Sequence, residues 1–222
     1  LITLSTLTTG TIALDTSASA GVQSPAITGS VTNINTVYGD AQITGKDGSA
    51  LTVTGGATVA QINTINGLTD GVVTATISDG DMTTLAGITE TTNNLAIAVT
   101  DSTISATALS ALDAKTIGTL SVSSTSSLTG SVAELTAALD AATITGVGAM
   151  QVSITGGSVS IADANTIAGK TSGKVTATIT ETDLASLISL ETGNSWITTV
   201  STQTSSDSVI SAANLATLDG LT

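Results

Sequence analysis

The chain has 222 residues, with 17 acidic residues against four lysines and no arginine, histidine or cysteine, so its net charge is −13. The acidic surface argues against binding to a phosphate backbone. The missing residue types exclude Ser-His-Asp triads, thiolate nucleophiles and metal sites built from imidazole or thiolate. We therefore predict that the chain is not an enzyme and has no nucleic-acid partner.

The hydrophobic residues, 41% of the chain, are almost all Ala, Val, Ile and Leu, with Tyr38 and Trp196 as the only aromatic residues. A compact globule usually fills its irregular centre with aromatic side chains. Their scarcity favours a narrow interior that small and branched side chains fill. There is no apolar run long enough to cross a bilayer, so we predict no membrane insertion. The chain does not begin with Met, and we expect it to be a segment of a longer protein.

Residues 1–30 are rich in Thr, Ser and Gly and contain the only proline, Pro25. The runs LITLSTL, from Leu1, and GTIALDT, from Gly10, are typical of short strands. We interpret 1–30 as the strand-rich N-terminal start of a repeat array that occupies 31–222.

Short helix-like segments recur from residue 31 onward. QINTINGLT begins at Gln61, and DANTIAGKT, which begins at Asp163, has the same form. Apolar residues three apart predict one or two helical turns. Predicted helices lie near 61–67, 81–87, 106–113, 132–141, 163–169, 183–189 and 213–219, with a looser copy, NINTVYGDA, from Asn33. The expected N-caps are Asp81, Asp163, Asp183 and Asn214, and the expected C-terminal glycines are Gly67, Gly87, Gly169 and Gly220.

Alternating runs rich in Val, Ile and Thr follow these segments and predict half-buried strands. They occupy 72–78, 95–100, 118–124, 174–180 and 196–201, and we expect them to pair in parallel within one sheet. The predicted core consists of Ile62, Ile65, Val73, Leu85, Leu112, Leu120, Leu139, Ile167, Val175, Ile179, Leu187 and Leu218.

The helix-like segments start 20–31 residues apart, and the two 20-residue spacings lie 102 residues from each other. A longer repeat of about four units therefore relates 51–116 to 152–222. Self-similarity at this period is typical of repeat architectures. The predicted fold class is a β-rich solenoid. It is a parallel β-helix-like stack of 20–31-residue coils, each with one or two short strands and a short helical turn.

Forms such as ISAANLATLDGLT and DANTIAGKTSGKVTATITETDL resemble repeats of very large secreted bacterial surface proteins, cyanobacterial ones in particular. The resemblance covers roughly 31–222. It implies an extracellular or cell-surface location and a role as scaffold or spacer in an adhesin, sheath or surface layer. It also implies self-association, end to end or side by side, and a possible contact with surface polysaccharide.

The candidate site residues are two pairs of carboxylates at matching places in the longer repeat, Asp79 with Asp81 and Glu181 with Asp183. Calcium prefers clustered oxygen ligands, so these pairs are candidate calcium ligands. The alternative is that they cap helices and face solvent, since two acids do not supply the six to eight oxygens that calcium takes.

The leading functional prediction is a non-enzymatic structural segment, and two alternatives stay open beside it. One is a calcium-dependent or ice-binding module, since aligned Thr-x-Thr pairs could order water; the pairs are Thr52/Thr54, Thr74/Thr76, Thr176/Thr178, Thr178/Thr180 and Thr202/Thr204. The other is a polysaccharide-acting enzyme on a β-helix.

Overall fold

The structure is a computed structural model that describes residues 1–14, 25–201 and 210–222. The chain divides into two compact units. Unit 1 consists of Leu1–Thr100 with Leu112–Ser121, and unit 2 consists of Asp101–Ala111 with Val122–Thr222.

Helices and strands alternate along the described part of the chain. The helices are α1 (Ile2–Ser5), α2 (Val31–Gly39), α3 (Val59–Asn66), α4 (Met82–Leu85), α5 (Ala106–Asp113), α6 (Val132–Asp140), a 3₁₀ turn (Val147–Ala149), α7 (Ile161–Ala168), α8 (Leu184–Leu187) and α9 (Ala212–Leu221). The strands are β1 (Ile12–Ala13), β2 (Ile27–Gly29), β3 (Ile43–Thr44), β4 (Leu51–Ala57), β5 (Val73–Ile77), β6 (Asn94–Ala98), β7 (Thr103–Ser105), β8 (Leu120–Ser121), β9 (Ser127–Gly130), β10 (Ile144–Thr145), β11 (Gln151–Ile154), β12 (Val175–Thr178) and β13 (Ser195–Ile197).

The predicted fold class, a β-rich solenoid of the parallel β-helix kind, is wrong. In its described residues the chain is an α/β fold with three sheets, all of whose pairings are parallel. Among the described residues, helical positions outnumber strand positions. The prediction counted each helix-like segment of one or two turns as part of a β-helix coil, but the five helices α2, α3, α5, α6 and α7 run for eight or nine residues each and lie between parallel strands. Parallel strands joined by helices are the ordinary form of an α/β sheet.

Unit 1 holds the two-stranded sheet β1-β3 and the strand order β2-β4-β5-β6-β8. Unit 2 holds a five-stranded sheet in the order β7-β9-β11-β12-β13. The five predicted strands are present and pair in parallel, although each is shorter than predicted. They do not form one sheet, because β5, β6 and β8 belong to one sheet and β12 and β13 to another.

The helices lie within about two residues of their predicted positions, but their caps differ in part. Asp81 and Asp183 cap α4 and α8 as predicted. The N-caps of α7 and α9 are instead Ser160 and Ser211, whose hydroxyl oxygens accept from the N–H of Asp163 and Asn214. Both helices therefore begin earlier than predicted.

Two of the four predicted C-terminal glycines take that place. Gly67 and Gly169 are the C-caps of α3 and α7, both with right-handed backbone angles. Gly87 follows the C-cap of α4, and Gly220 lies inside α9.

The N-terminal residues were predicted wrongly in part. LITLSTL contains the helix α1 rather than a strand. GTIALDT contains β1, as predicted, while its last two residues, Asp15 and Thr16, lie outside the described residues.

The two units repeat the same elements at an almost constant interval. The helix α3 and the strand β5 begin 102 residues before α7 and β12, and α2 and β3 begin 101 residues before α6 and β10. The pairing is repeated too. In unit 1, Ala75 lies opposite Leu95, and in unit 2, Ala177 lies opposite Trp196.

Eleven of the twelve predicted core residues are buried; Leu139 is the exception, with an intermediate exposure. On α6 the buried positions are Leu135 and Ala138. An α-helix buries only one stripe of its surface, so the position next to a buried one turns toward the boundary with solvent.

We expect Leu112→Ala to lower the free energy of unfolding by about 2–5 kcal/mol, because Leu112 is 2% exposed and truncation leaves a cavity. Leu139→Ala is the matched control on another helix, and we expect it to cost less than half as much. Urea unfolding followed by circular dichroism measures both. Equal costs for the two variants would contradict the observed core.

Candidate functional site

The predicted site residues Asp79 and Asp81 bind the N-terminal ends of two different helices of unit 1. Asp81 is the N-cap of α4, and its Oδ1 accepts from the N–H of Thr84 at 2.9 Å. Asp79 belongs to the same loop, but its Oδ2 accepts from the N–H of Val59, the first residue of α3, at 2.7 Å. Each carboxylate thus satisfies a main-chain donor that a helix leaves unpaired.

Glu181 and Asp183 repeat this arrangement in unit 2. Asp183 is the N-cap of α8, and its Oδ1 accepts from the N–H of Ser186 at 2.9 Å. Both carboxylate oxygens of Glu181 face the N–H of Ile161, the first residue of α7, at 3.1 and 3.2 Å. The longer Glu side chain therefore reaches the same helix end that Asp79 reaches in unit 1.

These four acids are not part of a larger cluster of ligands. In residues 1–14, 25–201 and 210–222, no group of three or more His, Cys, Asp or Glu residues is placed to hold a metal ion. The capping alternative describes the contacts that these acids make. Calcium binding stays a prediction.

The capping contacts lower the pKa of both N-cap carboxyls. The main-chain N–H of Thr84 holds the pKa of Asp81 below its usual value, and that of Ser186 does the same for Asp183. The capping-box residue Glu134 has a lowered pKa for the same reason, because it accepts from the N–H of Ser131 and from the hydroxyl of Thr107. A donor to the charged form favours that form.

A second set of polar contacts, which the sequence analysis missed, joins the starts of neighbouring strands. The hydroxyl of Thr69, before β5, donates to the carbonyl of Ser49, before β4, at 2.6 Å. In unit 2 the hydroxyl of Thr171 donates to the carbonyl of Met150 at 2.7 Å. Thr116, which is buried, accepts from the N–H of Leu95 at 2.9 Å.

Asparagine replaces threonine at two strand starts. The side-chain oxygen of Asn93, 1% exposed, accepts from the N–H of Val73 at 2.8 Å. The side-chain oxygen of Asn194 accepts from the N–H of Val175 at 2.9 Å. We call Thr69, Asn93, Thr116, Thr171 and Asn194 the strand-start residues.

The sequence does mark three of these contacts, because a glycine follows each of the three threonines. Each lies two residues after its threonine, and its N–H donates back to the threonine Oγ1; the pairs are Thr69/Gly71, Thr116/Gly118 and Thr171/Gly173. A Cβ at any of these glycines would overlap a main-chain carbonyl at or just before the start of the neighbouring strand, as at Gly118 with the carbonyl of Leu95. The motif Thr-x-Gly before an apolar strand therefore marks a close approach of two strands.

A third repeated contact uses an asparagine in the middle of a helix. Asn63 on α3 donates to the carbonyl of Gly87 at 2.8 Å and accepts from the N–H of Thr89 at 3.2 Å. Asn165 on α7 makes the same pair of bonds, to the carbonyl of Ser189 and the N–H of Glu191. Each side chain holds the loop that follows the next helix.

In unit 1 the threonine pairs form one short rank and not two. In unit 1, Thr28, Thr52 and Thr74 lie side by side on neighbouring strands. The second rank is broken, because Thr76 lies between Gly56 and Ala96. The pair Thr202/Thr204 lies outside the described residues.

Two open cavities lie in different units, and neither contains the predicted acids. The cavity of unit 1 has about 480 Å³ and is lined by Leu1, Leu14, Ile27 and Ile34, among others. The cavity of unit 2 has about 630 Å³ and lies between the chain after β13 and α9, with Val200 and Leu215 in its wall.

Comparison of the chain with family models, curated proteins and solved structures finds no match. Among the described residues, no helix has the length and apolar character that a membrane crossing requires.

We predict that the two N-cap carboxylates make the fold acid-sensitive. Their pKa values are lowered in the folded state, so their stabilisation is present above the unfolded pKa of about 3.9 and is lost as the pH falls through the folded values. Asp81→Asn with Asp183→Asn should leave the melting temperature at pH 7 almost unchanged, because Asn caps about as well as Asp.

The same double variant should lose less stability than the wild type between pH 5 and pH 2, as thermal unfolding at successive pH values would show. An identical acid-induced decrease in both proteins would mean that these two caps do not contribute to it.

We predict that calcium and EDTA leave the melting temperature unchanged, because each of the four acids already accepts a helix N–H. Differential scanning calorimetry with either additive tests this. A decrease in melting temperature with EDTA that Asp79→Asn and Glu181→Gln abolish would favour the calcium site instead.

Proposed function

We propose that this chain is a non-enzymatic structural segment of an extracellular bacterial surface protein or fibre. The observation that supports the proposal most directly is that its polar side chains bind the chain's own main chain at repeated positions. The strand-start residues join neighbouring strands, Asn63 and Asn165 hold loops, and the four predicted site acids cap helices.

A side chain that is held in this way serves the fold rather than a ligand. The same bonds occur in both units at nearly equal intervals, as with Asn93 and Asn194 or Asn63 and Asn165. Repetition of a contact with its chemistry unchanged is what a scaffold needs, because each copy of the element must keep the same shape.

Composition supports the extracellular part of the proposal. The chain has a net charge of −13 and no cysteine, so it would stay soluble in salt and needs no particular redox environment. Its repeats resemble those of secreted bacterial surface proteins. The partners that this function calls for are further copies of the chain and surface polysaccharide.

The test compares two glycine substitutions in the full-length protein of the producing bacterium. Gly118→Ala places a Cβ against the carbonyl of Leu95 and should disrupt strand pairing, whereas Gly148 has open space around it, so Gly148→Ala is the matched control. We expect an antibody against this segment to label intact cells in immunogold electron microscopy. We also expect electron microscopy to show surface structures in wild type and Gly148→Ala but not in Gly118→Ala.

Two results would contradict the proposal. Label that reaches the protein only after permeabilisation would rule out the surface location. Surface structures that persist in Gly118→Ala cells, when the isolated variant is shown to be unfolded, would rule out a structural role for this segment.

A further inference from the structure

Thr8 and Gly10 form a fourth Thr-x-Gly element, placed directly before β1. The N–H of Gly10 donates to the Oγ1 of Thr8 at 3.0 Å. The three other elements show the same internal bond, from Gly71, Gly118 and Gly173, at 2.9–3.0 Å. The local geometry before β1 is therefore the one that elsewhere receives a neighbouring strand.

Among the described residues, no strand lies against the fourth element in the way that one lies against each of the other three. At Gly71, Gly118 and Gly173 a Cβ would overlap a carbonyl at or just before the start of the adjacent strand. At Gly10 it would meet only the Oγ1 of Thr8, at 3.4 Å. The space that a second main chain fills at the other three elements has no described occupant here.

The strand after this element is β1, which is a repeat of β8 and has one edge available. Thr8-Thr9-Gly10-Thr11-Ile12 corresponds to Thr116-Ile117-Gly118-Thr119-Leu120. On one side β1 pairs with β3, with the N–H of Ile12 and of Leu14 donating to the carbonyls of Gln42 and Thr44. The sheet has only these two strands, so the opposite edge of β1 has no partner among residues 1–14, 25–201 and 210–222.

A matching edge exists on β13, because β13 repeats β6. Thr74 and Ala75 lie opposite Asn94 and Leu95, just as Thr176 and Ala177 lie opposite Ser195 and Trp196. In unit 1 the second edge of β6 is occupied by β8. In unit 2, β13 is the last strand of its sheet among the residues that the structure describes.

We propose that β1 of one copy of this chain adds, as a parallel strand, to the edge of β13 of a second copy that lies away from β12. The hydrogen bonds that we expect between β1 and β13 are those that join β6 and β8 in unit 1. There, Thr116 Oγ1 accepts from the N–H of Leu95 at 2.9 Å, and the N–H of Ile97 and of Val99 donate to the carbonyls of Thr119 and Ser121 at 3.0 and 2.8 Å.

The corresponding donors on β13 and after it are the N–H groups of Trp196, Thr198 and Val200, 101 residues further along the chain. Their acceptors are the Oγ1 of Thr8 and the carbonyls of Thr11 and Ala13 of the incoming copy, 108 residues before those in β8. This addition is β-strand augmentation, in which main-chain bonds supply the affinity. It also covers an edge that would otherwise remain open.

Two helices carry the leucine spacing of α5, so one of them must take its place where β1 joins β13. The buried Leu109 and Leu112 of α5 correspond to Leu215 and Leu218 of α9. They also correspond to Leu1 and Leu4 at α1 of the incoming copy. The four-residue α1 buries no residue, whereas α9 has ten residues and buries Leu218. The incoming α1 is therefore the helix that moves aside.

The interface is heterologous, since β1 and β13 are different surfaces, so each added copy leaves a free β1 and a free β13. Such contacts build open filaments unless a ring closes. This inference rests on the proposed structural function and names its partner.

The first experiment is a substitution that tests the joint while leaving the monomer intact. Gly10→Ala adds a Cβ that would meet the carbonyl of Trp196 of the second copy, as the other Thr-x-Gly elements show. Gly39→Ala, where a Cβ meets nothing within 4 Å, is the control. We expect Gly10→Ala to weaken self-association at least about tenfold in sedimentation velocity, and Gly39→Ala to leave it unchanged, with equal melting temperatures at low concentration.

The second experiment tests the register with an engineered disulfide. The chain has no cysteine of its own, so only the introduced cysteines can form a disulfide. Ala98 lies opposite Ser121, so Thr199 should lie opposite Ala13 of the incoming copy. Mixing an Ala13→Cys variant with a Thr199→Cys variant under mild oxidation should give the mixed dimer as the main product. Thr83→Cys, at an exposed position on α4, replaces Thr199→Cys in the control mixture.

Three results would overturn the inference. They are a wild-type chain that stays monomeric at every accessible concentration, self-association that Gly10→Ala does not weaken, and cross-linking no more efficient with Thr199→Cys than with Thr83→Cys. Each leaves the proposed surface location and structural role intact, because those are read from labelled cells and not from purified protein.

Discussion

The hydrogen bond between a strand-start residue and the main chain of the neighbouring strand is the contact on which the parallel sheets depend. Successive strands are joined through helices or loops rather than tight hairpins, so nothing in the connection fixes where the next strand begins. A shift of one residue would turn every apolar side chain to the wrong face. Asn93 and Thr116 fix the start of β6 and β8 against β5 and β6, and the alternating burial of the strands follows from that register.

The helices depend on the same register through their caps. Val59 and Ile161, the first residues of α3 and α7, donate to Asp79 and Glu181, which lie 20 residues later in the chain. Those acids reach the helix ends only because β5 and β12 bring the chain back beside them. The cap next to each, Asp81 or Asp183, begins the following helix. One short loop therefore ends a strand, caps the preceding long helix and starts the next one.

The sequence predicted the positions of most elements because the apolar spacing and the cap residues act locally. The buried face of α3, with Ile62 and Ile65, follows from residues three apart. The fold class was wrong because the helices were counted as turns within a stack of strands, whereas they cover more of the described residues than the strands do. The capping box of Thr58 and Gln61 starts α3 two residues before the repeated motif QINTINGLT, and Thr58 lies outside that motif.

The acids of the candidate site were found by sequence, but their partners were not. Asp79 and Asp81 are two residues apart, which suggested a shared ligand, yet their oxygens bind the N–H of Val59 and of Thr84. Proximity in sequence does not give side-chain direction when a strand ends and a helix begins between the two residues. The 20-residue separation from Val59 could not be read as a contact before the register was known.

The two chemistries of the strand-start residues show how side-chain length sets the rest of the local sequence. A threonine hydroxyl is close to its own main chain, so it can bind the next strand only where the two main chains approach closely. That approach leaves no space for a Cβ at Gly118 or Gly173. The asparagine side chain is longer and spans the gap by itself. The residue two places after Asn93 and Asn194 is accordingly Leu95 or Trp196, both buried. Glycine is thus required by the short side chain and not by the strand.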